Sequence, residues 1–305
     1  MNSFFIIGHV SKDIIRKQEE EKLVPGGGSY FAACSAGVCN SNDKKIQVIT
    51  YAKESERYLW TDYMPKSNFP LKNFIFLDSE NTTSFENIYP SNNPDDRIQR
   101  VFSLAKPYSQ NDIEPFLEKD SVCLINPLWC GEFAEELLPY VKSKVGYLCF
   151  DAQGFLRHVK TGVTDEAITY KKWEKKDEYL KYIDLLKVDV KEASILTGIS
   201  DNSIPVKELI KKILTNNEKT MILCTHQKGI TFYDGNDYYE SSFIEKFDPN
   251  ARTGRGDTCT SAFISAFYLK GMSKQESVDF AAKVTNAKLQ VIGGITKEVF
   301  DQIKF

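Results

Sequence analysis

The 305-residue chain alternates short apolar runs with longer segments whose apolar residues recur at helical spacing. The short runs predict buried strands, and the longer segments predict amphipathic helices. Repeated alternation of the two is typical of a layered α/β fold, in which helices cover a mainly parallel sheet. We therefore expect an α/β fold. Strands are predicted at residues 4–8, 47–51, 73–77, 122–125, 147–150, 185–188, 220–224 and 229–233.

Amphipathic patterns between these strands predict the helices at 30–39, 132–142, 192–197, 206–214, 258–270 and 273–290. Two segments, about 13–26 and 74–106, have instead the pattern of charged or alternating hairpins. Small β excursions inserted into an α/β core often form a lid that excludes water from a site. A decorative surface hairpin is the alternative. No linker or internal repeat interrupts the pattern, so we expect one domain over residues 1–305.

Charge and cysteine usage limit the function classes. The chain has 39 basic and 42 acidic residues, a net charge of −3. No basic stripe dominates, so neither a nucleic acid nor a membrane is an expected partner. The seven cysteines are odd in number and form no Cys-x-x-Cys pair, which argues against a zinc site or a disulfide framework. No signal peptide or transmembrane run is recognisable, and a cytoplasmic protein is expected.

The segment most informative about function is a glycine-rich loop that opens a helix near the C-terminus. Gly254 and Gly256 flank Arg255, and Asp257 follows. Glycines allow a tight turn, and the unpaired N–H groups and the dipole of a helix N-terminus attract anions. An anion cup beside a carboxylate base predicts phosphoryl transfer to a hydroxyl. The alternative is a simple tight turn in which Asp257 caps the helix.

Polar residues also stand at the ends of predicted strands. In open α/β sheets, ligands bind beyond the carboxyl ends of the strands. This rule selects residues 8–13, Asn126, Asp151, Asp189 and 225–229. The functional site is therefore expected at this edge of the sheet.

The loop RTGRGDT and its helix resemble the C-terminal signature of the ribokinase/PfkB family of sugar kinases. The glycine cluster at 25–28 resembles the family's substrate-side signature, and GHVSKD, KVDVKEASILTG and THQKG match in order over essentially the full chain. The strings TTSFEN, INPLWCGEF and DAQGF are similar to one branch, the bacterial-type myo-inositol kinases. The resemblance implies a three-layer ribokinase-like (Rossmann-like) sheet with helices on both faces and a small β lid.

The resemblance assigns the chemistry of the loop. Asp257 is the expected base, which accepts the proton of the attacking hydroxyl. Gly254, Arg255 and Gly256 are expected to form the anion hole. Arg255 replaces the small residue usual in the family, and its side chain is expected either to bind phosphate or to face solvent. Ala251 stands where many members have an acid linked to a monovalent-cation site. The missing acid argues against activation by potassium, although backbone carbonyls could still bind such a cation.

The resemblance also implies ATP, or another nucleoside triphosphate, as donor, together with Mg²⁺. Asp189 and Glu192 match an Asn-x-x-Glu motif, and Glu192 is the expected magnesium residue, acting through water. A capping box at a helix start is the alternative for this pair. Adenine is expected near Asn286. The nucleotide phosphates and ribose are expected near Thr225, His226 and Gly229.

Candidate substrate contacts lie mainly in the N-terminal half. Vicinal hydroxyls need paired acceptors, so Asp13 is the strongest candidate. Glu86 and Arg97 are expected to close over the substrate from the lid. Phe31 replaces an Asn that is usual in many sugar kinases of the family, which argues against a ribose-type contact. The remaining candidates are Ser11, Gly26, Gly27, Asn126, Asp151 and Gln153.

The sequence therefore predicts a kinase that transfers the γ-phosphoryl group of ATP to a hydroxyl of myo-inositol. A kinase of another sugar, a nucleoside or a sugar acid is the first alternative. A catalytically silent relative that senses polyol or nucleotide is the second alternative. The presence of Asp257 and both loop glycines speaks against it, because a sensor does not need a catalytic base. The expected partner is a small polyol or sugar, and the resemblance allows a homodimer formed through the lid.

Overall fold

A computed structural model describes residues 1–17, 20–40, 44–89, 98–162, 167–201, 203–214, 219–243 and 249–303. In chain order the strands are β1 Ser3–Ile7, β2 Ser11–Lys17, β3 Glu20–Gly26, β4 Lys45–Ala52, β5 Phe74–Asp78, β6 Thr83–Tyr89, β7 Ile98–Ser103, β8 Ser121–Ile125, β9 Tyr147–Asp151, β10 Arg157–Val159, β11 Ile168–Tyr170, β12 Leu185–Asp189, β13 Met221–His226, β14 Gly229–Tyr233 and β15 Tyr238–Ser242. The α-helices are α1 Gly28–Cys39, α2 Tyr58–Thr61, α3 Gln110–Ile113, α4 Leu138–Lys144, α5 Gln153–Leu156, α6 Lys176–Tyr179, α7 Val190–Thr197, α8 Val206–Lys211, α9 Arg255–Ile264, α10 Lys274–Lys288 and α11 Lys297–Asp301.

Nine strands form the main sheet, in the order β15-β14-β13-β12-β9-β8-β1-β4-β5. The β13–β14 and β14–β15 pairs are antiparallel, and the other neighbours are parallel. Parallel neighbours require crossover connections, which helices supply here. All eight predicted core strands lie in this sheet. The predicted layered α/β fold with a mainly parallel sheet is confirmed.

The two faces of the sheet bury different sets of side chains. On β1, Phe4 and Ile6 belong to one core, whereas Phe5 and Ile7 belong to the other. Successive residues of a strand point to opposite faces, so this fully buried strand serves two cores. Helices α1, α9 and α10 cover the first face, and α4, α7 and α8 cover the second. The described part of the chain holds no helix long and apolar enough to cross a membrane.

A separate four-stranded sheet, β3-β2-β6-β7, forms the small β lid. The second lid segment begins later than residue 74, because Phe74–Asp78 pairs with β4 in the main sheet. In the lid, β2 and β6 run parallel and place Asp13 opposite Phe85. Phe85 packs on Leu128 and Trp129 of the main body, so this face of the lid looks toward the strand ends.

Several predicted boundaries shift. The helix predicted from residue 132 begins as a 3₁₀ turn at Glu135–Leu137 and continues as α4. The helix predicted at 258–270 begins at Arg255 and ends in a π-helical turn at Ser265–Leu269. The short pair β10–β11 and the edge strand β15 were not predicted. Short or edge strands bury little apolar surface and give a weak periodic signal.

Candidate active site

The glycine-rich loop opens α9, as the sequence predicts. Gly254 is the N-cap residue, with a φ of 80°, a conformation that favours glycine. A Cβ atom there would also collide with the ring of Phe31. Gly254 has no side chain to cap this ten-residue helix, so among the described residues its first-turn N–H groups have no side-chain cap. Such groups attract an anion.

Asp257, in the first turn of α9, faces the end of β8. The side-chain amide of Asn126 donates to Asp257 Oδ1 at 3.0 Å. Asn126 is 1 % exposed, and its side-chain oxygen Oδ1 has no hydrogen-bond partner among the described residues. A Cβ atom on Gly28 would lie 2.8 Å from Asp257 Oδ1, so the start of α1 closes around this pair. The arrangement orients the carboxylate and leaves one buried acceptor beside it.

The glycine turn between β3 and α1 brings further polar groups to the same side. Gly27 has a φ of 97°, and its neighbour Gly26 lies against the carboxylate of Asp13. The hydroxyl of Ser11 donates to Asp13 Oδ1 at 2.7 Å. Ser11, Asp13, Gly26 and Gly27 are therefore brought together as predicted. Their roles toward a substrate remain predictions.

Glu132 connects two loops on this side, and sequence reasoning missed it. Its Oε1 accepts from the backbone N–H of His9 at 2.6 Å, and its Oε2 accepts from that of Leu128 at 2.7 Å. Burial raises the pKa of Glu132 to about 8, although these backbone donors oppose the shift. The loops after β1 and β8 are thereby held together. An acid inside the largely apolar string INPLWCGEF is the signal that could have revealed it.

Lys187 lies on the other side of the loop, and it too was missed. A Cβ atom on Gly256 would lie 3.3 Å from Lys187 Nζ, which is 3.0 Å from Asp151 Oδ2 and 3.4 Å from Glu192 Oε2. Burial lowers the pKa of Lys187, but Asp151 and Glu192 outweigh burial and hold it well above its ordinary value. The ammonium group is therefore charged. A lysine inside the buried strand LLKVD is a signal in the sequence.

Asp189 and Glu192 form the capping box at the start of α7. Glu192 Oε2 accepts from the backbone of Asp189 at 2.6 Å, and Asp189 Oδ1 accepts from that of Glu192 at 2.7 Å. Burial raises the pKa of Glu192 to about 8, with Lys187 opposing. The described residues hold no cluster of three or more His, Cys, Asp or Glu side chains suited to a metal ion. The capping role is established, and the magnesium role of Glu192 stays a prediction.

Arg255 does not point into open solvent. Its guanidinium group lies 5.7 Å from the ring centroid of Phe243, and burial, followed by the charge of Arg252, lowers its pKa. Burial also lowers the pKa of His226, and the positive charge of Arg255 adds to this shift. Arg252, Arg255 and His226 are thus neighbours at the N-terminus of α9.

The ends of β13 and β14 complete this side. Thr225 is buried, and its hydroxyl would lie 3.9 Å from a Cβ atom on Gly256. His226 Nε2 is 3.2 Å from Thr231 Oγ1. Gly229 begins β14, where a Cβ atom would collide with the carbonyl of Ser241, so its glycine serves strand packing. Thr225 and His226 thus border the loop.

The remaining predicted residues lie as follows. Asp151 is buried and paired with Lys187, and its Oδ1 accepts from the backbone of Gln153 at 3.0 Å. The side chain of Gln153 is 3.5 Å from the carbonyl of Pro127, beside Asn126. Asn286 is half-buried on α10.

Two lid predictions need separate comment. Glu86 does not share the face of Asp13: it lies opposite Ile14 in the β2–β6 pair and accepts from Arg16 and Arg100. Adjacent residues of a strand point to opposite faces, so Glu86 is turned away when Phe85 faces the site. The structure therefore places Glu86 on the face turned away from the strand ends, and its contact with a substrate stays a prediction. Arg97 lies outside the described residues.

Comparison with known proteins identifies the family. The sequence profile of the pfkB family of carbohydrate kinases matches residues 149–299. A pyrophosphate-dependent kinase in the ribokinase family, solved with a pyrophosphate analog and myo-inositol, is 36% identical over 98% of this chain and 100% of its own, with a TM-score of 0.83. A sulfate complex of a pyrophosphate-dependent kinase in that family is 37% identical over the same shares, with a TM-score of 0.85.

A more distant structure agrees on the fold alone. Ribokinase of Arabidopsis thaliana, solved with ribose and ATP, is 19% identical over 100% of this chain and 99% of its own, with a TM-score of 0.71. No curated protein matches significantly. The chain belongs to the ribokinase, or pfkB, family of carbohydrate kinases. The family predicted from the sequence motifs is confirmed.

Proposed function

We propose that this chain is a kinase that transfers a phosphoryl group from inorganic pyrophosphate to a hydroxyl of myo-inositol. The donor differs from the ATP expected from sequence. Relatives at 36% and 37% identity, each matched over 98% of this chain, are described as pyrophosphate-dependent. The observation that carries the donor proposal is the concentration of cations around the first turn of α9.

Pyrophosphate carries several negative charges in a small volume and, unlike ATP, has no adenine or ribose that a protein could bind. A site for it needs cations at both phosphate groups. Lys187 lies beside Gly256, and Arg252 and Arg255 lie close enough for one to lower the pKa of the other. Two adjacent guanidinium groups repel each other, and a bound polyanion relieves that repulsion. Arg255 accordingly binds phosphate oxygens in our proposal.

The acceptor side matches a cyclic polyol. The side-chain oxygen of Asn126, buried beside Asp257, has no hydrogen-bond partner among the described residues, and the Asp13 carboxylate adds acceptor oxygens nearby. Several neighbouring acceptors suit a ring that carries a hydroxyl on every carbon. Phe85 and Trp129 supply apolar surface for the carbon–hydrogen edges of such a ring.

The chemistry follows from the two sides of the loop. Asp257 accepts the proton of one hydroxyl while its oxygen forms a bond to phosphorus, and the bond from phosphorus to the bridging oxygen of pyrophosphate breaks. The first-turn N–H groups of α9, with Lys187, stabilise charge on the transferred group. The products are myo-inositol phosphate and inorganic phosphate. Asn126 keeps the base aligned.

A magnesium ion would neutralise part of the donor's charge. Mg²⁺ usually keeps several water ligands and uses only one or two carboxylates. Glu192 fits such an indirect role, because Oε2 already accepts from Asp189 and Lys187.

The test is a donor and acceptor screen with the purified full-length chain. Pyrophosphate and ATP, each with Mg²⁺, are offered with myo-inositol, ribose, fructose and a nucleoside, and products are read by ³¹P NMR. We expect myo-inositol phosphate from pyrophosphate at a rate at least about tenfold above that from ATP. Transfer from ATP alone would contradict the donor, and no transfer to myo-inositol from either would contradict the acceptor.

Asp257→Asn is the matched variant for the base. A positioned general base contributes about 10²- to 10⁴-fold, so kcat should fall by that factor while myo-inositol binding changes little. Binding is measured by calorimetry without donor. Activity within about tenfold of the unmodified chain would remove Asp257 from the role of base. A silent sensor would show neither transfer nor any effect of this variant.

A further inference from the structure

Lys288, the last residue of α10, is fully buried. Its ammonium group donates to the carbonyl of Ala251 at 2.6 Å and to that of Val291 at 3.2 Å, and lies 5.7 Å from the ring centroid of Phe31. The described part of the chain gives this group carbonyl oxygens and an aromatic face, without a carboxylate. A lysine is rarely buried fully without a carboxylate partner, so its retention calls for an explanation.

The ammonium group lies behind the glycine-rich loop at residues 254–257, the anion loop. Ala251 belongs to the 3₁₀ turn Pro249–Arg252, which leads into Gly254. The ring of Phe31 lies against Gly254, and the ammonium group of Lys288 lies 5.7 Å from the centroid of the same ring. Burial lowers the pKa of Lys288 to about 8, and the negative charge of Asp257 opposes this shift. The lysine is thus coupled to the loop by hydrogen bond, by ring contact and by charge.

A bound monovalent cation does not fit here. Ala251 offers no carboxylate where the acid linked to such a site stands in many family members. The oxygen that Ala251 does offer, its backbone carbonyl, already accepts from Lys288. An ammonium group carries the same single positive charge as a potassium ion and is held by the same kind of oxygen.

We infer that Lys288 is a positioning residue whose ammonium group takes the place of a monovalent cation behind the anion loop, so that this protein needs no potassium. It fixes the turn that precedes Gly254 and, while protonated, supplies positive charge behind the N–H groups that receive the phosphoryl group. A test by turnover rests on the proposed function, whereas a test by thermal unfolding does not.

A purely structural role is the competing explanation. Lysines near the C-terminus of a helix often bind the last carbonyls, and the bond to Val291 is of that kind. The bond to Ala251 is not, because it joins residues 37 positions apart. A structural lysine predicts a loss of stability without any dependence on small cations. A cation substitute predicts that such ions restore what its removal takes away.

The experiment compares the unmodified chain with Lys288→Ala, and with Lys283→Met as a control on an exposed position of the same helix. Turnover is measured in choline, potassium and ammonium chloride at equal ionic strength. The unmodified chain and the control should vary by less than about twofold among the salts. Lys288→Ala should lose at least about tenfold in kcat in choline, with the KM for myo-inositol little changed, and regain most of it in ammonium or potassium.

Thermal unfolding gives the readout that needs no activity. Ammonium or potassium should raise the Tm of Lys288→Ala relative to choline and leave that of the unmodified chain unchanged. Potassium activation of the unmodified chain would overturn the inference. So would a Lys288→Ala variant that is fully active in choline, or one whose kcat and Tm are indifferent to the cation. If the chain transfers no phosphoryl group, the proposed function fails and the Tm comparison still decides this inference.

Discussion

Two buried lysines flank the anion loop, and their surroundings differ. Lys187 is paired with Asp151 and Glu192, whereas Lys288 meets only backbone carbonyls and a ring among the described residues. Although burial opposes it, the carboxylates hold the pKa of Lys187 well above its usual range, while burial lowers that of Lys288 to about 8. A buried cation is therefore permanent where carboxylates surround it and titratable where only carbonyl dipoles do.

The largest effect is expected from breaking the carboxylate-paired side. Lys187→Met leaves Asp151 and Glu192 buried without their cation, which should lower the free energy of unfolding by about 3–5 kcal/mol and abolish transfer. Urea unfolding followed by circular dichroism measures the first effect. Lys181→Met, at an exposed position, should stay within about 0.5 kcal/mol. Equal stability of the two variants would show that the buried cluster is not electrostatically coupled.

The carbonyl-held side should respond to pH. As the pH rises through about 8, Lys288 loses its proton and kcat should fall. Lys288→Arg keeps its charge, so its profile should lack this descending limb. Asp257 of α9 and Cys34 of α1 face the ammonium group in both proteins. Burial raises the pKa of Glu192 and that of Glu132 to about 8 in both proteins, so only the difference between the two profiles reports on Lys288.

The sign of the stability change is opposite to that of turnover. The ordinary pKa of 10.5 exceeds the native value of about 8, so between these values the unfolded chain holds a proton that native Lys288 has released. Stability rises with pH wherever the unfolded state binds more protons. The stability of the unmodified chain, relative to Lys288→Arg, should therefore rise across this window. Denaturant unfolding at several pH values measures it, and parallel curves would contradict the lowered pKa.

The smallest effect is expected in the lid. Glu86 is a buried carboxylate like those around Lys187, but its partners Arg16 and Arg100 lie on the face turned away from the strand ends. Glu86→Gln should change the KM for myo-inositol by less than about twofold, whereas Asp13→Asn should raise it by about tenfold or more. A large effect of Glu86→Gln would return this residue to the substrate site.

The regular parts of the fold were predictable because their signals are local. Each core strand is a short apolar run, and the glycine loop announces the start of α9 through Gly254 and Gly256. The strand-end rule also predicted that Asn126 and Asp151 lie at the same edge of the sheet, since parallel strands end at one edge. These predictions needed no knowledge of how distant side chains meet.

The electrostatic contacts of the site could not be predicted in the same way. Nothing in the local sequence distinguishes Lys187 in its strand or Lys288 in its helix. Their roles depend on carboxylates and carbonyls that come from elsewhere in the chain. The orientation of Glu86 could not be predicted for a related reason. Which face of a lid strand turns inward depends on the register of β2 against β6, and a shift of one residue reverses it.

The glycine turn has a mechanical consequence. The chain leaves the lid at Gly26, passes through Gly27 alone, and enters α1 at Gly28, which abuts Asp257 and Asn126. A single connecting residue leaves little freedom between the last residue of β3 and the start of α1. We therefore expect any movement of β3 to change the position of Gly28 against Asp257 and Asn126.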